Sequence, residues 1–71
     1  MHYEKYYVVV NYPWYCWYVA GYSDKSGEWI EAETARPYSK KRATHIAKRI
    51  RDSLDKSVGV KAQVLVVPKL R

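Results

Sequence analysis

The chain has 71 residues, with 13 Lys and Arg against 7 Asp and Glu for a net charge of +6, and it is 48% hydrophobic. That describes one small domain, too apolar for a disordered segment, yet short enough to bury only about 60% of the surface its unfolded form exposes. The single cysteine, Cys16, excludes an internal disulfide; with no secretion signal, it suggests a reducing, cytoplasmic setting in which Cys16 packs as a small strand residue.

From Tyr6 to Ser23 there are 18 residues without a charge. Asn11, Pro13 and Gly21 interrupt this window and Leu and Ile are absent from it, so two aromatic strands and a turn are expected, with no membrane span. The first strand is predicted over Tyr3 to Tyr12, apolar on both faces apart from Asn11 and therefore central in a sheet. Pro13 closes it, and Trp14 to Tyr22 follows as the second strand. The tract Ser23-Asp24-Lys25-Ser26-Gly27 has the composition of a hairpin connection. The third strand is predicted over Glu28 to Ala35, with Ile30 and Ala32 facing the core and Glu31 and Glu33 facing water. Whether Trp17 and Val19 or Tyr18 and Ala20 face the core depends on whether the hairpin loop holds four or five residues, because a one-residue slip exchanges the faces.

Arg36-Pro37 ends the sheet segment, and Ser39 is a suitable N-cap for a helix running to about Lys56. Ala43, Ile46, Ala47, Ile50 and Leu54 recur at spacings of three and four, forming one apolar stripe. Ser57 and Gly59 end the helix. Val60 to Val67 then gives a fourth strand with Val60, Ala62, Val64 and Val66 on one side, stopped by Pro68. The expected fold is α+β, ordered β-β-β-α-β, with one mixed four-stranded sheet in the order 3-2-1-4. In it the fourth strand runs parallel to the first through a right-handed crossover, and the helix covers one face.

Charge is unevenly placed. Met1 to Pro37 carries three basic and five acidic residues, net −2, whereas Tyr38 to Arg71 carries ten and two, net +8. Six of those cations fall between Ser39 and Arg51. Lys40, Lys41 and Arg42 occupy the first helical turn, where free N–H groups and the macrodipole already present partial positive charge, an arrangement that an anion would relieve. At 100° per residue, Lys41, His45, Lys48 and Arg49 lie opposite the apolar stripe. Asp52 and Asp55 are spaced to pair with Lys48, Arg51 and Lys56, so the far half of the helix is balanced. The first half, Lys40 to Arg49, contains no acidic residue, and apart from the Lys48–Asp52 spacing its basic residues are expected to have no acidic partner. Nonspecific nucleic-acid binding through Lys40, Lys41, Arg42, His45, Lys48 and Arg49 is the expected function.

Eight Tyr and three Trp, all before Ser39, suggest a second activity. A sheet face bearing Trp29, Glu31 and Glu33 would repel phosphate and suit a protein partner or a homodimer, as in a protein-interaction module or a small inhibitor of phage or mobile-element type. Two His and one Cys show no metal-ligand spacing, and Ser39, Ser53 and Cys16 lack a base and its orienter, so neither an enzyme nor a cofactor or metal site is expected.

The succession of a Trp-Tyr-Val strand, a Ser-Gly hairpin, a Trp-Ile-Glu strand and a basic helix opening with Ser-Lys-Lys-x-Ala, from Trp17 to Leu54, resembles the arm-binding domains of tyrosine recombinases. The resemblance implies a three-stranded sheet that enters the DNA major groove with the helix packed behind it. This chain departs from that pattern in its fourth strand and in Glu31 and Glu33, where a groove-reading sheet would carry Arg, Lys or Asn.

Overall fold

The computed structural model describes residues 5–57, 59 and 61–69. Strands β1 (Tyr6–Asn11), β2 (Cys16–Tyr22) and β3 (Trp29–Ala32) precede helix α1 (Lys40–Asp55) and strand β4 (Gln63–Pro68). The sheet order is β3-β2-β1-β4 as expected, with the Val-rich β1 in the interior. Val60, placed by sequence in the fourth strand, lies outside the described residues.

The sheet is antiparallel throughout, not mixed: β4 pairs with β1 from Asn11↔Gln63 to Tyr6↔Pro68. The cause is the path before the helix. Residues 33–38 return along the sheet to the start of β1, where Tyr6 and Tyr38 exchange two backbone hydrogen bonds of 2.7 Å. The helix therefore starts beside the N-terminal end of β1 and delivers the chain to its other end, so β4 must run back antiparallel. The parallel expectation assigned the return trip to the helix itself.

Local chemistry accounts for the boundaries. Pro13 and Trp14 form the turn between β1 and β2, closed by Tyr12 N–H donating to the Tyr15 carbonyl at 2.8 Å. In the next hairpin, Ser23 N–H donates to the Glu28 carbonyl at 2.9 Å and Gly27 takes φ +74°, which L-residues with a side chain disfavour. Ser39 caps α1 by accepting from the Arg42 N–H at 3.2 Å.

One layer of core lies between sheet and helix. Val8, Val10, Val19 and Val64 meet Ala43, Ile46, Ala47 and Ile50, and Leu54, Ala62 and Val66 pack at its margin. The helical stripe and the inward side of β4 are those expected from spacing. Arg51 ties the two together by donating to the Val64 carbonyl at 2.9 Å.

The faces of β3 are the reverse of the expectation. Ile30 is 65% exposed, while Trp29 packs against the core and Glu31 stands on the helix side, paired with Val19. A bulge between Val19 and Gly21 is responsible, because its extra residue brings Tyr22 onto the same face as Val19, and Tyr22 pairs with Trp29. On that side Glu31 accepts hydrogen bonds from the Tyr12 hydroxyl at 2.6 Å and from Trp29 Nε1 at 3.0 Å. Burial, reinforced by Glu31, pushes the Tyr12 hydroxyl up to about 12, so it remains a donor at neutral pH.

Among the described residues, no helix covers the opposite face of the sheet. The strand register places Tyr7, Val9, Tyr18, Ile30, Ala32, Leu65 and Val67 there together. Cys16, expected to pack, is exposed at the start of β2.

Candidate nucleic-acid interface

Ser39 fixes the first turn of α1, and the burial of Ala43, Ile46 and Ala47 fixes the rotation of the helix. Lys41, His45, Lys48 and Arg49 are consequently held on the solvent side, with Lys40 exposed at the N-terminus and Arg42 half-buried at the flank. No acidic residue occupies the first turn. From Lys41 to Lys48 the helix rises about 10 Å.

An open depression of about 540 Å³ lies against this helix start, lined by Asp24, Ser39, Lys41, Arg42, His45 and Arg49. Four of the six sequence-predicted residues therefore share one concavity, and Lys40 and Lys48 are outside its lining. Asp24, which the sequence reading did not place here, enters from the β2–β3 hairpin. Arg42 Nη1 lies 3.0 Å and 2.9 Å from its two carboxylate oxygens, and His45 Nε2 lies 3.4 Å from Oδ1. The Arg42 guanidinium is also 5.8 Å from the Tyr22 ring centroid, within cation–π range.

The expectation that the basic residues of this half have no acidic partner is thus corrected for Arg42, and His45 also contacts Asp24. Asp24 is 18 positions from Arg42, so helical spacing carries no trace of the contact. The pairs expected on the far half are not closed either: among the described residues, the Arg42–Asp24 ion pair and the His45–Asp24 contact are the charged-group contacts within 4.0 Å. Lys40, Lys41, Lys48 and Arg49 are the uncompensated cations of this surface.

The hydrogen bond from Arg42 holds the Asp24 carboxyl below its ordinary range. A depressed carboxyl pKa contributes stability above its unfolded value near 3.8 that is lost as pH falls through the lowered folded value, so the pair is intact at neutral pH. Asp24→Asn should free Arg42 and His45 for an external anion. Affinity for a short DNA duplex at low salt is expected to rise about threefold to fivefold by fluorescence anisotropy. Unchanged or weaker binding would show that the carboxylate does not compete for the site.

The aromatic and acidic residues expected at a protein interface do not form an exposed group on β3. Trp29 and Glu31 are engaged with each other and with Tyr12 on the helix side, and Glu33 is exposed beyond the end of β3. No helix among the described residues is long and apolar enough to cross a membrane. No protein-family model, curated protein or solved structure matches this chain.

Proposed function

We propose that this protein binds nucleic acid without sequence preference, through phosphate contacts at the start of α1. The observation that carries this reading is the Asp24 carboxylate itself. Arg42 and His45 converge on an oxyanion inside a depression that Lys41 and Arg49 also line. A phosphate oxygen has the same hydrogen-bonding requirement as that carboxylate oxygen, and Arg42 and His45 supply side-chain donors for it. The free first-turn N–H groups and the helix dipole favour the same charge.

Lys40, Lys41, Lys48 and Arg49 contact the backbone, and Arg42 and His45 join when a phosphate displaces Asp24. The contacts carry charge and no base-reading geometry, so duplex and single-stranded forms are bound alike. Four contacts correspond to a slope of log affinity against log salt of about −3 to −4 on duplex DNA. Titrating labelled duplex and single strands at several ionic strengths checks this. Absence of binding at low salt, or an affinity indifferent to salt, rejects the proposal.

A further inference from the structure

We infer that the helix-free face of the sheet is a self-association surface, and that two copies pair through it in a four-layer helix–sheet–sheet–helix dimer. This does not depend on the nucleic-acid reading. Tyr7, Val9, Tyr18, Ile30, Leu65 and Val67 share that face, and none is charged. Ile30 and Leu65 are 65% and 42% exposed, while Val9 is only 6% exposed although it stands outside the core cluster, so the neighbouring side chains already form a continuous apolar layer.

A second copy is the occupant for three reasons. The first is long-range charge. A molecule of net charge +6 repels its own kind wherever basic helices approach, yet pairing through this face puts both helices on the outside. With layers spaced about 10 Å apart, the helices lie about 30 Å from each other, several Debye lengths at physiological salt.

The second reason is the rim. A two-fold axis along the strands sets β4 of one copy over β3 of the other, end matched to end. Lys69, following β4 and hydrogen-bonded to the Lys5 carbonyl, then meets the β3 entrance of the second copy, where Glu28 is exposed. The contact is made twice, as an isologous interface requires.

The third is area. Four strands about 4.8 Å apart and about six residues long span a face of roughly 19 by 20 Å; with side-chain relief, about 500 Å² per copy is covered. The total of about 1,000 Å² reaches the lower limit for a specific interface.

Sedimentation of the full chain from low micromolar to near-millimolar concentration should show the mass rising from 8.4 kDa toward twice that value. Ile30→Glu combined with Leu65→Glu should weaken association by about tenfold or more, the carboxylates being exposed in the monomer and buried in the dimer. Glu28→Lys leaves the apolar layer intact and should weaken association by about threefold at low salt, with the difference fading at high salt. A wild type that stays at 8.4 kDa throughout overturns the inference. A folded double variant that associates like wild type overturns it as well. Should the double variant fail to fold by circular dichroism, the Glu28→Lys comparison decides: equal association of that variant and wild type at low salt overturns the paired-sheet geometry.

Discussion

Replacing Lys41 and Lys48 together by Glu should reduce affinity for a short DNA duplex at low salt by about 100-fold or more and flatten its salt dependence. The segment from Lys40 to Arg49 holds five constitutive cations, so two reversals take it from +5 to +1 and the whole chain from +6 to +2. Both residues are exposed and neither contributes to the core. The Lys41→Glu change puts a carboxylate in the first helical turn, where the macrodipole favours it and disfavours a lysine. The helix should therefore persist with an unchanged circular dichroism spectrum. Binding that survives the double reversal would place the nucleic-acid contact elsewhere on the molecule.

The largest effect on stability is expected from Ile46→Ala, at about 2–5 kcal/mol by urea unfolding. Ile46 is fully buried between the sheet and the single helix that covers it. A chain of this length has a total stability of about 4–10 kcal/mol, so one cavity removes a large fraction of it. Among the described residues, no second layer on the far side of the sheet stands ready to compensate within the monomer. A loss below about 1 kcal/mol would mean that the helix is not the lid of the core.

Local patterns were sufficient where a single element decides the outcome. The stripe from Ala43 to Ile50 and the hydroxyl of Ser39 identify the helix and its buried side, because periodicity and capping act within a few residues. Strand order was legible for a related reason, since β1, apolar on both faces apart from Asn11, reads as an interior strand. The direction of β4 was not, because it is set by residues 33–38, whose return to Tyr6 is a tertiary bridge between two tyrosines.

The face of β3 escaped for a different reason. Alternation offered Ile30 and Ala32 as the inward set, and the bulge beside Gly21 selected the other one. Trp29 then packs its half-buried ring against the core and still satisfies its N–H with Glu31, so the half-buried carboxylate becomes a structural acceptor instead of a surface charge. At the candidate site, helix geometry placed Lys41, His45, Lys48 and Arg49 on one face. What it could not supply was Asp24, whose position depends on how the β2–β3 hairpin folds over the helix start. That contact divides the basic surface into two residues already holding an anion and four that do not.

The most direct test is to measure duplex affinity as a function of salt for the wild type and the Lys41→Glu, Lys48→Glu double variant side by side. The wild type should bind at low salt with a log–log slope of about −3 to −4, and the double variant should show about 100-fold weaker binding with a shallower slope of about −2. Equal affinities and equal slopes for the two proteins would contradict phosphate binding at the start of α1.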